Sequence, residues 1–237
     1  MSPRVTTTSS LFLSALVAIA TVLTPGGARA ADTFIQPGAE VNSSIGQCTL
    51  NYVFRNGGTL YIGTAGHCSK DVGDVMTDKN GARIGTVAFR IESGDDDFTL
   101  IAIDPARYGE VNPAVRNWGG PTGSTVSTLT NTGDVLLLSG YGLAFSTLAQ
   151  TRGRPGVLAD DTPTLYLAEM PSIFGDSGGP VIEASTGKAL GIVSGIGLTI
   201  PPSTLLGPTV EGTLHTLAAH GFSLQLVTAP FSSVLPL

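Results

Sequence analysis

The chain has 237 residues, a formal net charge of −6, 31 glycines and 15 prolines, and only 13% of its residues are charged. Nothing in it concentrates positive charge, which excludes a surface built for nucleic acid or an anionic membrane. Its longest apolar run, the 13 residues Leu11–Leu23, falls short of the ~20 that a bilayer-spanning helix needs.

Arg4, the apolar run Leu11–Leu23 and Ala28-Arg29-Ala30 follow the charged, apolar and small-residue order of a secretory signal peptide. Removal of residues 1–30 is therefore expected, with a mature chain starting near Ala31. The formal charge then falls to −8, because the segment holds two arginines and no acids. Cys48 and Cys68 are the two cysteines; in an exported chain an even count suggests a disulfide.

The mature part reads as short β-prone runs separated by turns. Thr49–Phe54, the turn Arg55-Asn56-Gly57-Gly58 and Thr59–Gly63 make a hairpin. Arg83–Ile91 is a further strand, and Phe98–Ile103 (FTLIAI) is apolar enough for a buried one. Asn117-Trp118-Gly119-Gly120-Pro121 reads as a connection, dividing the chain near residues 115–125. Val126–Leu129, Val135–Leu138, Thr164–Ala168, Pro180–Glu183 and Leu190–Val193 continue the series. This spacing suggests an all-β barrel or sandwich. A helical pattern stands near the end, at Val210–His220, with Gly221 placed as a C-cap glycine.

Phe174–Pro180 (FGDSGGP) sets one serine in a segment that neither helix nor strand tolerates well. As a nucleophile, Ser177 would need an activating base. Of the three histidines, His67 lies in Thr64–Cys68 (TAGHC) just after a strand, next to a cysteine that a disulfide would pin. His215 and His220 sit in the terminal helix pattern and are read as structural or exposed. Asp97 adjoins the strand FTLIAI and is chosen as the orienting acid; Asp104, at the far end, competes with it. Asp95 and Asp96 are read as solvated loop acids. The three consecutive acids lack the alternating spacing of an EF-hand loop, and no metal or organic cofactor is expected.

TAGHC at 64–68, Asp97 before an apolar strand and GDSGGP at 175–180 together resemble the trypsin/chymotrypsin-like serine peptidases, in that family's order of His, Asp and Ser. The N-terminal half is most similar to the secreted bacterial streptogrisin-like branch, which bridges its histidine loop where Cys48 and Cys68 fall. The resemblance implies two six-stranded antiparallel β-barrels with a short C-terminal helix. The barrels would span about 31–118 and 119–237, with the site between them. It implies Ser177 as nucleophile, His67 as general base and then acid, and Asp97 as the partner that fixes the imidazole tautomer. The backbone N–H groups of Gly175 and Ser177 would meet the oxyanion. Asp176 would pair with a buried cation, either an N-terminus freed at Ile35 or an arginine such as Arg116, Arg152 or Arg154.

For substrate binding, the resemblance puts Pro171 at the floor of the primary pocket, with Ser172 beside it. Ser194-Gly195-Ile196 matches the strand that pairs with substrate backbone. Trypsin-like members hold an aspartate at the position of Pro171, so Lys or Arg is disfavoured. Ile196 stands where many relatives have glycine and would narrow the pocket, which implies a preference for small or medium apolar residues. The implied protein is a secreted, extracellular monomer acting on proteins or peptides, with no nucleic-acid or membrane partner in its mature form.

Two other readings stay open. Gly175–Gly179 also fits the G-x-S-x-G nucleophile elbow of an α/β-hydrolase, with Glu211 and His215 or His220 completing that fold's order, as in an esterase or lipase. Gly178-Gly179-Pro180, however, does not suit the helix that such an elbow opens. The chain could also be a secreted, non-catalytic binding protein on a protease-like fold.

Overall fold

The computed structural model describes residues 33–126, 130–142, 153–197 and 204–232. The signal-peptide segment, the expected start at Ala31, Arg152 and positions 127–129 of the expected strand Val126–Leu129 lie outside them.

The N-terminal half forms β1 (Glu40–Ser43), β2 (Gly46–Thr49), β3 (Val53–Asn56), β4 (Thr59–Thr64), β5 (Val75–Asp78), β6 (Arg83–Ser93) and β7 (Asp96–Ile103). The second half forms β8 (Val135–Ser139), β9 (Gly153–Asp161), β10 (Leu165–Glu169), β11 (Pro180–Glu183), β12 (Ala189–Ile192), β13 (Gly195–Gly197) and β14 (Thr204–Pro208). A ten-residue helix, α1 (Val210–Ala219), and the two-residue β15 (Gln225–Leu226) follow. The first sheet runs β15-β3-β4-β7-β6-β5-β1-β2 and the second β12-β11-β8-β9-β10-β14-β13, and the strand pairs within both are antiparallel.

The curl of each sheet follows from its edges. β2 and β3 lie towards opposite ends of the first sheet, yet only Leu50, Asn51 and Tyr52 separate them in sequence. A sheet whose two ends are joined by three residues must roll up. The bend stays hydrogen-bonded to both sides: Leu50 N–H donates to the Ala39 carbonyl and Asn51 N–H to that of Gly63. The second sheet repeats the device. β12 and β13 are its outermost strands, and only Val193 and Ser194 lie between them. Counting each bent strand once, and leaving aside β15, gives the six strands per barrel that the resemblance implies. The run Thr49–Phe54, expected as one straight strand, is thus broken at its centre, because its two halves serve opposite edges.

Most other expected strands stand within a residue or two. β1, β5, β9 and β14 were not foreseen, while β13 stands where the resemblance put the strand Ser194-Gly195-Ile196. β9 carries Pro155 and Gly156, which argue against a central strand. The proline is tolerated because β10 pairs with β9 only from Val157 onwards, so on that side Pro155 has no ladder partner to supply.

The period-two geometry of strands explains the continuous apolar runs. In β7, Ile101 and Ile103 enter the core of the first sheet beside Val41, Ile62 and Met76, while Phe98 and Leu100 face the other way. In β8, Leu136 and Leu138 enter the core of the second sheet, while Leu137 faces outward. The outward residues meet: Tyr52, Phe54, Phe98 and Leu100 pack with Leu137, Ile182, Ile192, Val210 and Leu217 in a third cluster between the sheets. The Tyr52 hydroxyl crosses this seam to donate to the carbonyls of Val181 (2.6 Å) and Gly191 (3.1 Å). Helix α1 starts at the cap Thr209, whose side chain accepts from Gly212 N–H at 3.0 Å, and ends before Gly221 in the left-handed region (φ 89°). Among the described residues, no helix is long and apolar enough to cross a membrane.

Candidate active site

His67 sits in a single 3₁₀ turn, Gly66–Cys68, directly after β4. The turn is fixed from several directions. Cys68 is bonded to Cys48 of β2, with Cα atoms 6.1 Å apart. Arg90 Nε of β6 donates to the carbonyls of Gly66 (2.9 Å) and Ser69 (2.8 Å). At Gly66 the backbone passes so close to β6 and β7 that a Cβ would lie 2.0 Å from the Ile91 carbonyl and 2.8 Å from Asp97 Oδ1, which requires glycine.

Asp97 of β7 is 8% exposed and faces this turn. It accepts His67 N–H on Oδ1 at 2.9 Å, and its Oδ2 lies 2.8 Å from His67 Nδ1. Ser194 Oγ, from the bend between β12 and β13, donates to the same Oδ2 at 2.5 Å. With an acceptor at Nδ1, the neutral imidazole carries its hydrogen there and presents Nε2 as the free base. The hydrogen bond to Asp97 raises the His67 pKa above the ordinary imidazole value, against the opposing effect of burial. Burial pushes Asp97 upward, but the hydrogen bonds from His67 and Ser194 outweigh it, and the carboxyl lies below its usual range. Asp104, the competing acid, instead pairs with Arg83 Nε at 2.8 Å.

The loop carrying Ser177 turns through Gly175 (φ 98°) and Gly178 (φ 86°). A Cβ on Gly178 would lie 2.3 Å from Thr64 Oγ1 and 2.4 Å from the Thr49 carbonyl, so this backbone lies directly against the first sheet. Thr49 ties the loop down: its N–H donates to the Ser177 carbonyl (2.8 Å) and its hydroxyl to the Gly175 carbonyl (2.7 Å). The N–H groups of Gly175 and Ser177 donate to no described residue. Asp176 is fully buried beneath them. It accepts from Gly142 N–H (2.7 Å) and Ile173 N–H (2.9 Å) and pairs with Arg154 Nη2 at 2.5 Å. Of the cations considered from sequence, Arg154 is therefore the partner. Arg116 instead reaches the Thr33 carbonyl at 2.6 Å, and Ile35 is buried in a bridge with Val111.

A cavity of about 350 Å³ brings His67, Ser177, Gly175, Ser194 and Ile196 together with Ile45, Phe174 and the Cys48–Cys68 bridge. Among the described residues, no hydrogen bond joins the Ser177 hydroxyl to the imidazole. Gly195, Pro171 and Ser172 do not line the cavity; Pro171 is exposed and Ser172 buried. Cys48, His67 and Cys68 bring their ligand atoms within 4.8 Å of one another, but the disulfide consumes both sulfurs, and one imidazole alone does not hold a metal.

Sequence reasoning missed Ile45 and Phe174 as lining residues, and both are well exposed (52% and 70%). Asp95 is, as expected, an exposed acid in the hairpin turn, though Thr164 Oγ1 donates to its Oδ2 (2.9 Å). Asp96 departs from the solvated reading, since it is half-buried at the start of β7 and accepts from Thr216 Oγ1 on both oxygens (3.0 and 3.2 Å). Glu211, His215 and His220 belong to α1 and its C-cap, and none of them lines the cavity.

No protein-family model and no curated protein matches the chain. Solved structures do match it. Thermobifida fusca protease A is similar at 23% identity and a TM-score of 0.59, over 82% of this chain and 98% of that one. Nocardiopsis protease is similar at 23% identity and 0.59, over 81% and 98%. A serine protease described as glutamic acid specific, and as using a histidine triad in substrate binding, is similar at 19% identity and 0.62, over 81% and 100%. At these identities the likeness is one of fold. The chain has the chymotrypsin-like fold of bacterial serine proteases, and the parallel sheet that an α/β-hydrolase requires is replaced by two antiparallel ones.

Proposed function

We propose that the chain is a secreted serine endopeptidase that hydrolyses peptide bonds through an acyl-enzyme. The observation that carries this reading is one cavity lined by both Ser177 and His67, with the imidazole already held by Asp97 at 2.8 Å. Ser177 Oγ attacks the scissile carbonyl while His67 Nε2 takes its proton. Asp97 holds the Nδ1–H and stabilises the imidazolium. The N–H groups of Gly175 and Ser177 receive the developing oxyanion, a contribution worth ~3 kcal/mol per donor. The imidazolium then protonates the leaving amine, and water repeats the sequence in reverse to release the acid. The division into barrels near residue 118, the N-terminal signal pattern and the disulfide support export of a two-barrel mature chain.

Among the described residues β13 pairs only with β14 and stands at the edge of the second sheet, and Ser194-Gly195-Ile196 is the stretch that substrate backbone extends. Ile196 and Phe174 give the cavity apolar walls, which favours small or medium apolar residues at the cleaved position. The glutamic acid specificity of the one neighbour does not carry over readily, since His215 and His220 lie away from the cavity.

Intact-mass analysis of the purified exported protein with a fluorophosphonate tests the reading. One adduct on Ser177, lost in Ser177→Ala and in His67→Ala, is expected. A folded protein that takes no adduct would mean a binding protein on a protease-like fold. The untreated spectrum should also start near Ala31.

A further inference from the structure

The three consecutive acids at the tip of the β6–β7 hairpin belong to the first sheet. Each accepts a hydroxyl hydrogen bond from a different element of the second half. Asp95 takes Thr164 from the β9–β10 turn, Asp96 takes Thr216 from α1, and Asp97 takes Ser194 from the β12–β13 bend. The hairpin that carries the orienting acid is thus tied to the second half of the chain at three consecutive residues, at Asp97 and at the two that precede it. His67 and Asp97 ride on the first sheet, while Ser177 lies on a loop leading into β11 of the second. The reach from Nε2 to the Ser177 hydroxyl therefore depends on two sets of ties between the halves, those of Thr49 to the Ser177 loop and those of the three acids at this seam.

We propose that Asp95 and Asp96 are positioning residues that, through Thr164 and Thr216, hold the His67–Asp97 pair at working distance from Ser177. The role rests on the peptidase reading. It acts between the sheets and leaves the His67–Asp97 bond itself alone, because both of those residues belong to the first sheet. Its signature is specific: loosening the clamp lowers the rate at every pH without moving the pH at which the imidazole titrates.

The test is the second-order rate of fluorophosphonate labelling at Ser177 as a function of pH, at a temperature where circular dichroism shows every variant folded. It compares the wild type, the double variant Thr164→Val/Thr216→Val, and the double variant Thr164→Ser/Thr216→Ser, which keeps both hydroxyls. Since a misplacement of about 1 Å costs on the order of 100-fold, the valine variant should lose roughly tenfold or more in plateau rate. Its midpoint should be unchanged, and the serine variant should recover most of the rate. An unchanged plateau, a loss that serine does not restore, or a shifted midpoint would each overturn the positioning role. A wild type that takes no label would overturn the peptidase reading and this role with it, a result distinct from equal labelling of wild type and valine variant.

Discussion

Arg154 Nη2 lies 2.5 Å from Asp176 Oδ1, with the arginine side chain 5% exposed and the aspartate fully buried. The pair sits directly under the loop that carries Ser177, and its cation comes from β9, within the folded chain. Removing one partner of a buried pair leaves the other charge unpaired and costs about 3–5 kcal/mol. Arg154→Ala should therefore lower the thermal midpoint markedly and abolish labelling of Ser177. The same geometry predicts that a chain with extra residues ahead of Ile35 labels as fast as a trimmed one. A requirement for a free Ile35 amine would contradict it.

The protonation state of His67 sets opposite pH dependences for activity and stability. The base must be neutral, and its raised pKa puts the rise of kcat/KM at a higher pH than the ordinary ~6.5. Asp97→Asn should move that midpoint down and cost on the order of 10⁴-fold in rate. For stability, the raised His67 pKa contributes fully below ~6.5 and is lost as pH rises through the folded value. The lowered Asp97 pKa contributes fully above ~3.9 and is lost as pH falls through its folded value. The pair thus stabilises most between about pH 4 and 6.5, below the pH where the enzyme works best. Thermal midpoints of wild type and His67→Ala across pH should differ most in that window.

The Cys48–Cys68 bridge closes a 20-residue separation and braces the turn bearing His67. Cys48→Ala/Cys68→Ala should cost about 3 kcal/mol in unfolding free energy. It should also slow labelling at temperatures where the variant remains folded. A variant with the expected stability loss and full labelling speed would mean that Arg90 and Asp97 alone suffice to hold the turn.

Ile196 puts a branched side chain into the cavity from β13. Ile196→Gly should enlarge the pocket and raise kcat/KM for phenylalanine over alanine at the cleaved position by about tenfold or more, the scale of apolar pocket discrimination. Peptide series cleaved by both proteins would measure it, and an unchanged ratio would place the specificity wall elsewhere.

By itself the sequence determined the parts whose signals are local. TAGHC and GDSGGP marked His67 and Ser177, the acid before FTLIAI marked Asp97, and the cysteine pair marked the bridge that is present. Gly57-Gly58 marked the β3–β4 hairpin, and a terminal glycine marked the end of α1. The hairpin and the helix end rest on turn chemistry and on periods of two and 3.6, which a few consecutive residues suffice to express, the bridge on an even cysteine count, and the three site residues on short motifs whose order resembles a known family. Tertiary structure alone decided what depends on how far a sheet curls. It broke Thr49–Phe54 between two strands and chose Arg154 of β9 as the partner of the loop residue Asp176, 22 residues away. It left Pro171 and Ser172 off the cavity, and it gave the exposed turn acid Asp95 and the half-buried Asp96 hydroxyl partners on a turn and a helix of the second half. A side chain's partner across a seam is set by the roll and register of both sheets together, and no local spacing encodes that sum.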